Sequence, residues 1–372
     1  MSGKRLLVLN TEVSGMNKYL FEGLRKRGWQ LHVHNVPYPR RFHWLAALKS
    51  FHPSVSEWRK RFDWHLWRLY KSSGCFMTRS RWCQKVLEKE KSMVDVVLNI
   101  SGMHAPCVEY DKLKGMKYFV LCSYTMSLSK KWDAWMPYEH EYPKWVELEK
   151  ALYRNAEKVL TTNDNVRLSL LEDYGVSLSK SLKIGYGLTF DNFPEFNKKY
   201  DRKTVLYVGF DFHRKGGAYL LKAFKTVRQK MPDAQLVIIG PSKKSYDIKQ
   251  EGVTFLGPLR DRDQVQKCFK DASIFVMPSI CEPFGLTFLE AMAYKLPCIG
   301  TKVDAMGEII RENETGVLVT PRDPDSLAQA IVSLLDDERE MERMGSAGHE
   351  VVRKYYQWDM VVDRLEKVLT TR

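Results

Sequence analysis

The chain has 372 residues, 44% hydrophobic and 28% charged, with 59 Lys/Arg against 45 Asp/Glu and a formal net charge of +14. That length predicts two domains, each with its own core, and no apolar run approaches the ~18 residues of a membrane-spanning helix. Seven scattered cysteines (75, 83, 107, 122, 268, 281, 298), with no C-x-x-C pair, argue against a disulfide frame or a zinc site and for reduced thiols in a cytosolic protein.

In chain order, the basic start Met1 to Arg5 runs into Leu6-Leu7-Val8-Leu9. This run is too short for a signal peptide and lacks a small-residue cleavage site, so it reads as a first strand. Strands are predicted over 5–10, 31–35, 94–100, 118–122 and 158–162, then over 204–208, 235–239, 253–256, 274–277, 298–301 and 316–319. Most are apolar throughout rather than alternating, the mark of strands buried on both faces of parallel sheets. Helical patterns lie at 16–27, 218–231, 287–294 and 325–335, the last behind an Asp323 cap with Pro324 at its first position. The fold class is α/β, doubly wound twice over.

The polar stretch 186–203 separates the two halves. The predicted domains are 1–190 and 202–353, followed by a helical segment 354–372. Trp358, Val361, Val362, Leu365, Val368 and Leu369 of that segment form an apolar face with no partner nearby in sequence.

Two stretches carry candidate chemistry. In the first, the strand 204–208 leads into Gly209-Phe210-Asp211-Phe212-His213-Arg214-Lys215-Gly216-Gly217 and a helix. Free amides at a helix start, with the Arg214 and Lys215 side chains, suit a diphosphate. The alternative is a surface turn with solvated charges, and one Gly-rich strand–helix turn does not choose between them. It is not a Walker loop, because no glycine precedes Lys215 at that spacing and no Ser/Thr follows. In the second, Cys281-Glu282-Pro283-Phe284-Gly285-Leu286-Thr287-Phe288-Leu289-Glu290 places carboxylates on both sides of a helix start. They could be ordinary dipole-favoured carboxylates. With a nucleotide sugar, the amides from Gly285 to Phe288 would meet the diphosphate and Glu282 and Glu290 would accept hydroxyl protons.

Residues 204 to about 337 resemble the C-terminal domain of family 4 (group 1) retaining glycosyltransferases with the GT-B fold. The run from Glu282 to Glu290 with Ala291-Met292-Ala293 resembles their E-x7-E signature. Thr301 to Ile310, then Asn313 to Pro324, resemble the segment that follows, and Val208-Gly209 to Lys215-Gly216 their phosphate loop. The resemblance implies two Rossmann-like domains facing a cleft. The donor would lie on the C-terminal domain and the acceptor on the N-terminal one, with the final helix crossing back to the N-terminal domain. It implies catalytic roles for Glu282 at the donor sugar and for Lys215 and Arg214 at the diphosphate. Gly209, Gly285, Leu286, Glu290 (ribose) and Gly15 would bind the donor, and no metal or other cofactor is expected. Gly15 enters because Ser14-Gly15 before the helix 16–27 resembles the family's Gly-Gly loop with one glycine missing. Phe210 stands where the family has arginine, with Arg214 as substitute, and Asp304-Ala305 stands where it has a glycine pair. The family's turn between domains is Tyr186-Gly187-Leu188-Thr189 here. His104 follows a strand, but a lone histidine there is more often structural.

Asp261-Arg262-Asp263 is read as a helix start with Asp263 as N-cap rather than a metal triplet. Residues 40–91 hold thirteen Lys/Arg against four Asp/Glu and five of the ten tryptophans. At helical spacing, Trp58, Phe62, Leu66, Leu69 and Tyr70 share one face of 58–71, with Lys60, Arg61, Arg68 and Lys71 opposite. That is a core-facing helix with a solvated basic side, or an interfacial helix on an anionic membrane; nucleic acid ranks third. The reading is a cytoplasmic glycosyltransferase, peripheral on a membrane's inner face in its sharper form. The partners are a nucleotide sugar and an acceptor that the sequence does not name. A silent sugar-nucleotide binder, or a GT-B epimerase or glucan synthase, is the alternative.

Overall fold

Apolar strands flanked by amphipathic helices build two separate parallel sheets. The computed structural model describes residues 4–11, 15, 17–106, 116–133, 136–188, 193–241 and 250–371. The chain divides into two units, Met1–Tyr186 with Trp358–Arg372, and Gly187–Gln357. Ser14, Met16, Cys107 and Thr189 lie outside the described residues, and the six described cysteines are free.

Unit 1 has strands β1 (Arg5–Asn10), β2 (Gln30–Asn35), β3 (Val96–Ile100), β4 (Lys117–Cys122), β5 (Lys158–Thr161) and β6 (Ser181–Lys183), in the order β2-β1-β3-β4-β5-β6, all parallel. Its helices are α1 (Asn17–Lys26), α2 (Arg41–Ser50), α3 (Val55–Tyr70), α4 (Ser73–Glu90), α5 (Met126–Ser129), α6 (Tyr142–Asn155) and α7 (Asp164–Glu172). The continuous apolar runs divide by period 2. Leu7, Leu9, Val97, Val120 and Val159 face one core with Phe76, Trp145 and Leu152. Leu6, Val8, Leu98, Phe119, Leu121 and Leu160 face the other. β6 was not expected, because Ser-Leu-Lys carries no apolar signal; pairing with β5 makes it a strand.

Unit 2 has β7 (Thr204–Val208), β8 (Gln235–Ile239), β9 (Val253–Gly257), β10 (Ile274–Val276), β11 (Cys298–Thr301) and β12 (Gly316–Val319), in the order β12-β11-β10-β7-β8-β9, again all parallel. Its helices are α8 (Gly217–Lys230), α9 (Arg262–Asp271), α10 (Leu286–Ala293), α11 (Met306–Ile309), α12 (Pro324–Leu335) and α13 (Glu338–Tyr355). Asp323 caps α12 by accepting from the N–H groups of Asp325 and Ser326. At α9 the N-cap is Asp261, which accepts from the Asp263 N–H, and not Asp263 itself. The helix begins at Arg262, directly after the extended Asp261, so Asp263 already lies inside it.

The last helix, α14 (Trp358–Thr370), packs in unit 1. Val361, Val362, Leu365 and Leu369 join the cluster of Leu20, Phe21 and Leu24 on α1. Gly23 lets them approach, since a Cβ there would meet Val362 Cγ2 at 2.5 Å. Arg27 donates to the carboxylates of Asp359 and Asp363.

The basic segment is mostly scaffold on its predicted apolar face. Phe62 and Leu66 pack against a cluster of Phe42, Ala46, Leu69 and Tyr70. Arg68 departs from the expected solvated face. It is buried, donating to Asp133 at 3.1 Å and lying 3.9 Å over the Trp64 ring. The C-terminal turn of α3 tucks into the unit, so the helix face rotates from water to protein there.

One buried carboxyl ties α6 to its neighbours. Glu149 accepts from Tyr174 Oη at 2.5 Å, from the Met126 N–H at 3.1 Å and from Tyr153 Oη at 3.2 Å. Burial pushes its carboxyl up to about 7, against the pull of these donors. An unfolded glutamate titrates near ~4.3. The native state therefore holds the extra proton between those values, and the stability it contributes is full at acid pH and lost as pH rises through about 7. The unfolding midpoint is expected to fall by on the order of a few °C from pH 5 to pH 8 through this group. Glu149→Gln should flatten that part of the profile in a thermal melt series; an unchanged slope would remove Glu149 as its cause.

Candidate functional site

In unit 2, β7 and β10 are neighbours whose chain connections depart in opposite directions: β8 and β9 lie beyond β7, β11 and β12 beyond β10. The crevice outside the carboxyl ends of two such strands is where open α/β sheets bind ligands. The loop 209–216 follows β7 and the loop 277–285 follows β10, so the fold delivers both candidate stretches to this one point.

Close backbone approach joins the loops. Gly216 has φ +73°, and a Cβ there would overlap the Pro278 carbonyl. The Ile280 N–H donates to the Arg214 carbonyl at 2.8 Å. Gly209 lies under the Lys215 side chain, where any Cβ would collide with Lys215 Cδ. With both glycines in place, Lys215 Nζ reaches Glu282 Oε2 at 2.9 Å.

Glu282 is buried and held from several sides. Ser279 Oγ donates to the same Oε2 at 3.2 Å, and the Arg214 guanidinium stands 3.6 Å away. The Glu282 N–H donates to Asp304 Oδ2 at 2.9 Å. Oε1 takes no bond among the described residues. Asp304 sits at φ +46°, a left-handed conformation that a short polar side chain tolerates better than a bulky one.

Arg214 is committed to structure. Its Nε donates to Asp211 Oδ2 at 3.2 Å and its Nη1 to the Cys281 carbonyl at 2.6 Å. The loop's amides are also largely committed, against the expectation of a free backbone cradle. The N–H groups of Gly209, Phe212, Lys215, Gly216 and Gly217 bond to main-chain carbonyls, and that of Arg214 to Asp211 Oδ1. A loop this tight closes its own turns. At α10 the expectation is trimmed by one: the Phe288 N–H returns to the Gly285 carbonyl at 2.9 Å. The N–H groups of Gly285, Leu286 and Thr287 have no acceptor among the described residues, as at any uncapped helix start. Gly285 is the N-cap at φ +82°, and a Cβ there would meet Met306 Cε at 2.5 Å.

Glu290 stands one turn into α10, half-buried. Burial first and the Glu290 charge second push the Tyr294 phenol up to about 12. Phe210 is 75% exposed. Gly15 belongs to unit 1, exposed, at φ +68°.

The matching switch point of unit 1 lies between β1 and β3. His104 follows β3 there, fully buried, its Nε2 2.9 Å from Thr11 Oγ1 and its Nδ1 3.7 Å from Cys83 Sγ. Arg79 donates to Thr11 Oγ1 at 2.7 Å and to the carbonyls of Val36 and Met103. Burial and the Arg79 charge hold the imidazole well below its usual range, hence neutral. Sequence reading missed Ser279, Asp211, Thr11 and Arg79; only Asp304, where a glycine was expected, left a signal.

Residues 189–351 match the model of the family described as glycosyl transferases group 1. A curated relative is phosphatidyl-myo-inositol mannosyltransferase of Mycobacterium leprae, 35% identical over 176 residues, which are 45% of this chain and 46% of the relative. The chain thus spans about half the length of the curated relatives it matches first. Among solved structures, sucrose-phosphate synthase from Thermosynechococcus elongatus aligns with a TM-score of 0.69 at 19% identity, covering 98% of each chain. Anabaena HepE in complex with UDP gives 0.69 at 14% identity, covering 98% of this chain and 99% of that one. These likenesses establish the GT-B fold.

Asp304→Ala removes the acceptor for the Glu282 N–H and leaves a left-handed alanine. It is expected to lower stability by ~1–3 kcal/mol, whereas Asp304→Asn should stay within ~0.5 kcal/mol because it keeps both acceptor and conformation. Urea unfolding of the full chain distinguishes them; equal losses would remove the acceptor role.

Proposed function

We propose, from the match of residues 189–351 to the group 1 glycosyl transferase model, that the chain moves a sugar from a nucleotide-diphosphate sugar to an acceptor hydroxyl. Transfer is retaining and needs no metal. It serves cell-surface glycan or glycolipid synthesis, with the chain peripheral on a membrane's inner face. The supporting observation is the Lys215–Glu282 pair at the β7/β10 switch point, next to the open amides of Gly285 and Leu286.

The reaction breaks the bond from the anomeric carbon to the diphosphate oxygen and forms one to the acceptor oxygen, whose hydroxyl proton passes to the departing diphosphate. Negative charge grows on the departing diphosphate. Lys215 and the α10 amides answer it, and fixed donors in a water-poor site act without reorganising. Arg214 serves by position, holding the loop through Asp211 and the Cys281 carbonyl, with its charge close behind Lys215. Glu282 accepts sugar hydroxyls and Glu290 the ribose hydroxyls, while Gly209 clears the path of Lys215.

The ion pair couples two of these roles. Lys215 turns to a diphosphate only by sharing or leaving Glu282 Oε2. Donor binding therefore loosens the hold of the lysine on the carboxylate as it engages the lysine.

Calorimetric titration with UDP, GDP and ADP tests the donor site. One nucleotide is expected to bind, and Lys215→Ala to weaken it by about 10–100-fold, the worth of a charged hydrogen bond. Glu282→Gln should keep nucleotide affinity within a few-fold yet lower sugar transfer by about 100-fold. Retention is read from the product anomer by NMR, and metal independence from turnover in EDTA. No nucleotide binding at all would sink the proposal; binding without transfer or donor hydrolysis would leave a silent binder.

A further inference from the structure

The helices α2 and α3 form a hairpin with one face in unit 1 and the other outside it. Phe42, Ala46, Leu69 and Tyr70 are its buried side. The Trp58 indole N–H reaches the Ala47 carbonyl at 3.4 Å and holds the start of α3 against the end of α2. Of the fifteen exposed large hydrophobics among the described residues, eight lie between 44 and 67. The most exposed sit at the tip: Leu48 at 76%, Phe51 at 79% and Val55 at 76%. Trp44 precedes the tip on α2, and Trp58, Trp64 and Trp67 follow it along α3. Such a patch is not tolerated by chance on a soluble surface.

Cations gather beside this patch. Between residues 40 and 71 stand eight Lys/Arg against two Asp/Glu. Lys49, Lys60, Arg61, Trp64 and His65 line an open cavity of about 400 Å³. Lys60 pairs with Glu57 at 2.9 Å, whereas Lys49 and Arg61 have no carboxylate partner among the described residues. Protein–protein interface cores shed lysine. A lipid surface instead rewards this arrangement: cations at the phosphate level, indoles among headgroups and an aliphatic tip below them.

We propose that the α2–α3 hairpin docks on an anionic lipid bilayer. Leu48, Phe51 and Val55 enter the acyl boundary, and the cavity of Lys49, Lys60 and Arg61 holds a lipid phosphate. This places the surface earlier in the chain than 58–71, since the end of α3 is core. Docking through the hairpin rests on the peripheral placement proposed above, while sugar transfer in solution does not need it.

Flotation of the full chain with vesicles of phosphatidylcholine, alone or mixed with phosphatidylglycerol, tests the surface. Co-flotation is expected with the mixture only, with release at about 0.5 M salt, where screening shortens to a few Å. Lys60→Glu/Arg61→Glu should reduce bound protein at least 5-fold, roughly the loss expected for reversing two contacts. Leu48→Ser/Phe51→Ser should reduce it similarly in the same buffer. Nucleotide titration and far-UV CD should be unchanged in both, which separates loss of docking from misfolding and from failure of the donor site. No flotation, or flotation undiminished in both variants, overturns the proposal. So does saturation of the cavity by inorganic phosphate or a phosphorylated sugar in a chain that ignores vesicles.

Discussion

The ion pair between Lys215 and Glu282 ties the β7 loop to the β10 loop, and the candidate site of unit 2 is arranged around it. Its side chains are 14% and 8% exposed, so both charges have left most of their water. Desolvation of this kind offsets much of the Coulomb attraction, and an apolar pair of equal volume would serve stability as well. What the pair supplies is a cation and a carboxylate held within 2.9 Å, each with a reason to change partner. The local cost is met by neighbours: Ser279 donates to the carboxylate, and Asp304 pins the Glu282 backbone.

Glycine makes that contact possible at two places. Gly216 admits the Pro278 carbonyl and brings the β7 and β10 loops together. Gly209 admits the lysine's alkyl chain, so the ammonium is delivered across the backbone rather than out to solvent. The same tightness consumes the loop's amides. Charge at this end is therefore carried largely by side chains, and the amides of Gly285, Leu286 and Thr287 stay open among the described residues where α10 begins.

Unit 1 treats its buried polar groups differently. His104, Thr11 and Arg79 occupy its switch point as a buried network, with a neutral imidazole and two guanidinium nitrogens turned to Thr11 and to carbonyls, while Arg79 Nε is left without a hydrogen bond among the described residues. Glu149 forms a second buried centre on tyrosine hydroxyls and one main-chain amide. The open chemistry of this unit lies instead on the α2–α3 hairpin, where cations and large apolar side chains share one exposed surface.

The sequence by itself determined the strands and named most residues of the candidate site. Short apolar runs between helical patterns fit strands buried on both faces of parallel sheets, and the E-x7-E run named Glu282 and Glu290. β6 escaped because its three residues carry no apolar pattern, and the Asp263 cap failed because an aspartate two residues earlier captures the same helix start. Tertiary structure decided which residues meet. Lys215 and Glu282 are 67 positions apart, and only strand order places β7 beside β10. It also decided which atoms are already spent: Arg214, the loop amides and Arg68 look available in a linear reading, because a string of residues records donors and charges but not the acceptors that folding brings to them.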